Sequence, residues 1–274
     1  MLLDSLELPD TSHAVVLAAG RGSRLRPDEG YKLLVEIDGR TLLDHHLRNF
    51  ARLGVTDVTI VTGYRHAELD KKIQDWPTAE EIDLHIAVNP AFDGGNGVSV
   101  LAGVMQARHN RDVADAEPYW LTMSDHLFQP TVFEDLAERV GRTSGSSVGG
   151  MLVVDSKIET IFDLEDANKI RTTDEGRLDA IGKGLDAVDL VDAGLFWCGR
   201  AFSDALDRER RERGDCSTSD AVRSLAAEDD FAFYDLGNAL WQDVDTPGAR
   251  RHAERIRADR DSDVEIESTV TEQR

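Results

Sequence analysis

Short apolar, β-branched runs alternate with helical ones through the first half of the chain, and this alternation narrows the fold more than any other feature. Val15 to Ala19 reads as a strand, Thr41 to Leu53 as a helix that stops at Gly54, and Val58 to Thr62 as a second strand. His66 to Trp76 is again helical, Leu84 to Val88 extended, Val98 to Arg108 helical, and Tyr119 to Met123 a buried strand ending in Ser124-Asp125-His126. Strands separated by helices pair in parallel, so the pattern predicts an α/β fold with a mostly parallel, mixed sheet and helices on both faces. Ligands of such sheets bind beyond the C-terminal ends of the strands.

From Val148 the pattern changes. Val148 to Val154, Leu178 to Ile181 and Leu190 to Cys198 are strand-like with no helix between them, which predicts a smaller antiparallel or mixed portion. Helices near Phe202 to Arg213 and Ser217 to Ala227 follow, then a strand at Phe231 to Leu236 and a helix to about Ala258. No repeat or linker interrupts the chain. We expect one domain over 1–258, with a nucleotide-binding part at about 11–130, a second binding part at about 148–245, and a polar, frayed tail at 259–274.

The first strand breaks into Gly20-Arg21-Gly22-Ser23-Arg24, with Lys32 shortly after. Glycines let backbone N–H groups approach phosphate oxygens, and arginines supply forked positive charge. The better-known phosphate motifs do not fit. A dinucleotide fingerprint needs a third glycine where Leu25 stands, and a Walker A loop needs Gly-Lys-Ser/Thr, whereas Lys32 lies between Tyr31 and Leu33.

The cations of this loop stand out because the chain carries 53 Asp and Glu against 31 Lys and Arg, a net charge of −22. Such a surface repels nucleic acid. No apolar stretch is long enough to span a bilayer, and Asp4 stands where a signal peptide needs basic residues. Cys198 and Cys216 match no metal or redox spacing. A soluble, cytoplasmic protein without direct membrane insertion is expected.

Asp125, at the end of a buried strand, is placed to hold Mg²⁺, which takes one or two carboxylates plus substrate phosphates. The second acid is Asp243 or Asp245, which share one side of an extended segment. Thr246-Pro247 lets Asp245 or Thr246 be explained as a helix start, so Asp243 is the expected metal ligand. Lys183, flanked by Gly182 and Gly184, suits a phosphate. Asn96, in the turn Gly94-Gly95-Asn96-Gly97, offers a donor and an acceptor to a pyrimidine edge, and Ser99 suits the ribose or base; helix capping by Asn96 or Ser99 competes with this reading and is compatible with it. Ser217-Thr218-Ser219-Asp220 reads as a capping box instead of a site. No Ser-His-Asp or Cys-His arrangement emerges.

Together these pieces resemble the nucleotidyltransferases that activate sugar and polyol phosphates. Within them they resemble the CTP-dependent cytidylyltransferases, above all the CTP:inositol-1-phosphate cytidylyltransferases. The matching stretches are Leu17 to Arg24, Asn96-Gly97-x-Ser99, Met123 to His126, Ile181-Gly182-Lys183, Val191 to Phe196 and Trp241 to Pro247. The resemblance implies a Rossmann-like, GT-A-like nucleotidyltransferase fold in which an acceptor phosphate attacks CTP, giving CDP-inositol and pyrophosphate. It places the nucleotide on Leu17, Ala18, Ala19, Gly20, Gly22, Ser23, Asn96, Gly97, Ser99 and Ser124. Charge neutralisation falls to Arg21, Arg24 and Lys32, and Mg²⁺ to Asp125 and Asp243. Lys183 would orient the acceptor phosphate, with Asp192 and the backbone of Gly194 at the acceptor's hydroxyls. The family usually carries Pro-Lys where this chain has Tyr31-Lys32. Its bifunctional members also carry a membrane-bound CDP-alcohol transferase half, so here the product is expected to pass to a separate membrane CDP-alcohol phosphotransferase.

Rivals within the reaction class are sugar-1-phosphate nucleotidylyltransferases using UTP, dTTP or GTP, and cytidylyltransferases for phosphocholine or aminoethylphosphonate. A quaternary ammonium calls for an aromatic cage, for which Trp241, Trp197 and Tyr119 are the candidates. Outside the class stand a glycosyltransferase using Asp243-Val244-Asp245 for its metal and a non-catalytic nucleotide-binding regulator. The arginine-rich loop fits a triphosphate better than a nucleotide sugar, and both metal acids are intact.

Overall fold

The first strand has no polar face. β1 (His13–Ala18) lies in mid-sheet, and its alternate residues bury into two separate cores, as the two-residue period of a strand requires. The computed structural model describes residues 11–22, 31–77, 82–111, 117–143 and 148–255. After β1 come a small hairpin, β2 (Glu36–Ile37) and β3 (Arg40–Thr41), then α1 (Leu42–Arg52), β4 (Asp57–Thr62), α2 (His66–Gln74), β5 (Asp83–Val88), α3 (Asn96–Arg111) and β6 (Tyr119–Met123). The second half contains β7 (His126–Phe128), α4 (Pro130–Thr143), β8 (Gly150–Asp155), β9 (Lys169–Thr172), β10 (Leu178–Gly182), β11 (Leu190–Cys198), α5 (Arg200–Arg213), α6 (Thr218–Ala227), β12 (Phe231–Asp235) and β13 (Trp241–Asp243). A last helix covers 247–255.

Nine strands form one sheet with the path β10-β9-β11-β6-β1-β4-β5, and β8 and β12 join it beside β11. β6, β1, β4 and β5 run parallel. β11 lies antiparallel to β6 on one side and to β8 on the other. Ala14 and Val16 pack in a core with Leu47 and Phe50 of α1 and Phe133 and Leu136 of α4, while Val15 and Leu17 pack with Val100 of α3 and Phe202 of α5. Capping boxes start two of the helices, Thr41 with Asp44 at α1 and Ser217 with Asp220 at α6.

The strands after Val148 join the sheet of the first half. β8, β9, β10 and β11 extend the same sheet, because β11 is long enough for Leu190–Val191 to pair with β9 while Leu195–Cys198 pairs with β6. At the change of partner the register of β11 against β8 shifts and Gly194 takes φ +75. A Cβ at Gly194 would come within 2.8 Å of the His126 ring, so the glycine permits both the turn and the close approach. Helix α4 and the paired strands β7 and β13 were absent from the sequence reading. The expected tail at 259–274 lies outside the described residues.

Candidate active site

The parallel strands end at a cleft of about 890 Å³. Its centre is a knot of charge. The turn after β6 carries Ser124 and Asp125, and three elements hold it: Ser124 N donates to Leu17 O at 3.0 Å, Val244 N donates to Asp125 O at 2.6 Å, and His46 of α1 hydrogen-bonds the backbone of Ser124. Pairing of β13 with β7 sets Asp243 opposite His126. Lys32 Nζ lies 2.7 Å from Asp125 Oδ2 and 3.7 Å from Asp245 Oδ2, and His126 Nδ1 lies 2.9 Å from Asp125 Oδ1.

These contacts tune the acids in opposite directions. Burial disfavours the Asp125 carboxylate, but His126 and Lys32 outweigh it and hold its pKa well below the usual range. Asp243 is raised by burial and by the carboxylates of Asp245 and Asp125. The His126 imidazolium is opposed by burial yet raised overall by its bond to Asp125 and by the charges of Asp243 and Asp192. Among the described residues no three His, Cys, Asp or Glu side chains form a ready-made metal cage. The expected division of labour between the two C-terminal acids also shifts. Thr246 Oγ1 accepts from Ala249 N at 3.1 Å and so caps the last helix, leaving Asp245, 3% exposed, in the cleft beside Lys32.

Of the residues expected at the nucleotide, Leu17, Ala18, Ala19, Gly20, Arg21, Gly22, Asn96, Ser99 and Ser124 all line the cleft. Ser23 and Arg24 lie outside the described residues. Arg21 is engaged elsewhere: Nε and Nη2 reach Asp93 at 2.9 Å each, and its guanidinium sits 5.4 Å from the Tyr64 ring and 5.6 Å from the Phe92 ring. Ser99 Oγ accepts from Asn89 Nδ2 at 2.9 Å. Asn96 also has a partner within the protein. Its Oδ1 accepts from Thr218 N at 2.9 Å and its Nδ2 donates to Thr218 Oγ1 at 3.1 Å.

The same turn is fastened to the segment before α6 by Gly97 N to Cys216 O at 3.0 Å and Gly95 N to Asp215 Oδ1 at 2.8 Å. Gly97 does not line the cleft. A Cβ there would stand 2.9 Å from Cys216 O, and one on Gly95 2.2 Å from the same atom. These glycines let two backbones 120 residues apart meet.

Lys183, Asp192 and Gly194 also line the cleft. Asp192, its pKa raised by burial, accepts from Gly194 N at 2.8 Å and from Asn168 Nδ2 at 2.9 Å. The aromatic candidates do not converge. Trp241 lines the cleft, stacked on His126 at 5.4 Å with its Nε1 held by Asp155 at 3.0 Å. Trp197 Nε1 bonds Thr11, and Tyr119 is buried with its hydroxyl on Ser203.

A family model described as the MobA-like NTP transferase domain matches residues 14–156, which include the glycine-arginine loop and Asp125. The chain belongs to this family. It is 32% identical over 247 residues to the bifunctional IPC transferase and DIPP synthase of Rubrobacter xylanophilus, covering 89% of this chain and 51% of that protein. The protein of the same name from Aquifex aeolicus is 25% identical over 236 residues, covering 85% of this chain and 49% of that one. The chain spans about half the length of these curated relatives. The solved inositol-1-phosphate CTP transferase from T. maritima superimposes with a TM-score of 0.67 at 24% identity, over 88% of this chain and 92% of that one. The fold is the Rossmann-like, GT-A-like nucleotidyltransferase fold.

Within the cleft of this NTP transferase domain, sequence reasoning missed Tyr64, Phe92, Asn168, Thr218 and Ser219, and considered Trp241 only for a cage. Thr218 and Ser219 sit in the first turn of α6, where the capping box explained them away. The cap is real, but Ser217 and Asp220 make it, and the two residues between them face the ligand space. No local pattern marks Asn168.

Proposed function

We propose that the chain transfers the cytidylyl group of CTP to a phosphorylated polyol, inositol-1-phosphate first, giving a CDP-polyol and pyrophosphate. The observation that carries this reading is the two-sided cleft. Lys32 and the acids Asp125, Asp243 and Asp245 lie between the glycine-arginine loop and a wall bearing Lys183, Asp192 and Asn168. The names of the relatives agree with it. Of the three rings considered for a quaternary ammonium, only Trp241 lines the cleft, and Tyr64 and Phe92 there already hold the Arg21 guanidinium.

A phosphomonoester has a second pKa near ~6 and is largely dianionic at neutral pH, so its attack on the α-phosphorus needs no protein base. The chain's task is to position and neutralise. Lys32 faces the phosphates from the floor. Arg21, 57% exposed in its pair with Asp93, can exchange that partner for phosphate oxygens, because exposed pairs are weak. Lys183 would orient the acceptor phosphate. Asp125 and Asp243 fit a Mg²⁺ ion: both are hard oxygen donors, and the crowding of Asp243 by two other carboxylates is relieved by a dication. Bound there, the ion would supply charge neutralisation at the triphosphate oxygens.

A CDP-polyol is an activated donor of the polyol phosphate with CMP as leaving group, and we propose that a membrane CDP-alcohol phosphotransferase consumes it, with CTP used in the cytoplasm. Among the described residues no helix is long and apolar enough to cross a membrane. Pyrophosphate release from CTP, UTP, dTTP, ATP and GTP against inositol-1-phosphate, hexose-1-phosphates, phosphocholine and aminoethylphosphonate tests the reading. CTP with inositol-1-phosphate should show the highest kcat/KM. A preference for UTP or dTTP with a hexose phosphate refutes it.

A further inference from the structure

A belt of hydrogen bonds crosses the cleft from the nucleotide side to the acceptor side, and one of its members has no task in the reaction as derived so far. Asn96 holds Thr218; Ser219, next in the chain, accepts from Asn168 Nδ2 at 3.0 Å; the same Nδ2 donates to Asp192 Oδ2 at 2.9 Å. The backbone carbonyl of Asn168 accepts from Asp192 N at 2.9 Å. All of these side chains line the cleft.

Both amide hydrogens of Asn168 are therefore committed, one to a carboxylate and one to a hydroxyl. The carboxylate also decides which way the amide faces. Flipped, Oδ1 would stand against Asp192 Oδ2, two acceptors at hydrogen-bonding distance. This leaves Oδ1 as the one side-chain atom of Asn168 that no donor among the described residues satisfies. The Asp192 oxygens, each with one protein donor, keep lone pairs of their own. Asn168 Oδ1 and the Asp192 oxygens thus offer acceptors side by side, and the amide that carries Oδ1 is locked at two points.

We propose that Asn168 is a specificity-determining residue for the acceptor: its Oδ1 takes a hydrogen bond from a hydroxyl of the polyol phosphate, beside a second hydroxyl on Asp192. This rests on the polyol reading above. A site built to accept from a hydroxyl discriminates strongly against an analogue that lacks it, and the double tether of the amide removes most of the ordering cost. A trimethylammonium group, with no N–H, has nothing to donate here.

The test compares wild type, Asn168→Ala and Ser219→Ala with CTP and a panel of inositol-1-phosphate, its monodeoxy analogues, glucose-1-phosphate and phosphocholine. Asn168→Ala should lower kcat/KM for inositol-1-phosphate about tenfold or more, leave the KM for CTP within about twofold, and erase the preference over one of the deoxy analogues. Ser219→Ala removes one tether and should give the same pattern at a few-fold size. Equal losses on hydroxylated and deoxy acceptors, or equal rises in the KM for CTP and for acceptor, reduce Asn168 to a structural role and overturn the inference. If Asn168→Ala does not fold, a Ser219→Ala variant with an unchanged acceptor profile overturns it equally. A wild type that turns over inositol-1-phosphate with Asn168→Ala indistinguishable from it overturns this inference alone. A wild type that prefers glucose-1-phosphate overturns the polyol reading, and a selective loss on that sugar in Asn168→Ala then still supports the role of Asn168. A wild type active only on phosphocholine overturns both.

Discussion

His46 makes this protein's stability depend on pH in a way that can be isolated. The ring is 1% exposed on α1, beneath the Asp125 turn, with Nε2 buried and unpartnered among the described residues. Burial, aided by the charges of His126 and His45, pushes its pKa from 6.5 down to about 3, against the bond to Ser124 and the charge of Asp125. Above pH 6.5 the ring is neutral in both folded and unfolded chains and adds no pH dependence. Below that, the unfolded chain binds a proton the native state refuses, so stability falls by about 1.4 kcal/mol per pH unit until the native ring titrates near pH 3. At pH 5 the loss from this one group is about 2 kcal/mol. His46→Asn keeps an amide donor for the Ser124 carbonyl and cannot titrate. Its smaller side chain costs stability by an amount that does not change with pH. Urea unfolding followed by tryptophan fluorescence, at pH 7 and pH 5 and fixed ionic strength, measures both proteins. The many carboxylates are common to both and cancel in the comparison. The stability gap between wild type and variant should narrow by about 2 kcal/mol on acidification. Parallel falls in the two proteins would refute the claim that the native state excludes the proton.

Lys32→Met should lower kcat with CTP by at least about a hundredfold while the protein still melts cooperatively, because the ammonium serves the charged centre and not the apolar cores. Asp243→Asn and Asp125→Asn should each abolish Mg²⁺-dependent pyrophosphate release, whereas Asp245→Asn, which still faces Lys32, should cost less; a larger loss at Asp245 would move the metal ligand there. Gly95→Ala forces a methyl to within 2.2 Å of the Cys216 carbonyl and should destabilise by roughly 1–3 kcal/mol or more in thermal melts, whereas Gly184→Ala, with open space around it, should leave the melting temperature unchanged.

What the sequence by itself determined here is local or periodic. The short apolar run of β1, the helical spacing of α1, the glycine-arginine loop at a strand end and Asp125 at the end of another strand all lie within windows of a dozen residues, and propensity acts over that range. The Ser217–Asp220 capping box belongs with them, four residues carrying a complete hydrogen-bonding unit. Tertiary structure decided the rest, because the deciding partners lie far away in the chain. The partner of Asn96, Thr218, lies 122 positions later in the chain. Gly95 and Gly97 looked like turn glycines until Cys216 came against them. Asp245 and Thr246 were both open as the helix start until Thr246 made the cap and left the Asp245 carboxylate beside Lys32. Asn168 carried no signal at all, since an asparagine in a loop becomes a specificity element only once a neighbouring carboxylate fixes which end of its amide faces outward. A sequence declares which groups can donate and accept, but which bonds they make depends on contacts between segments that no local window contains.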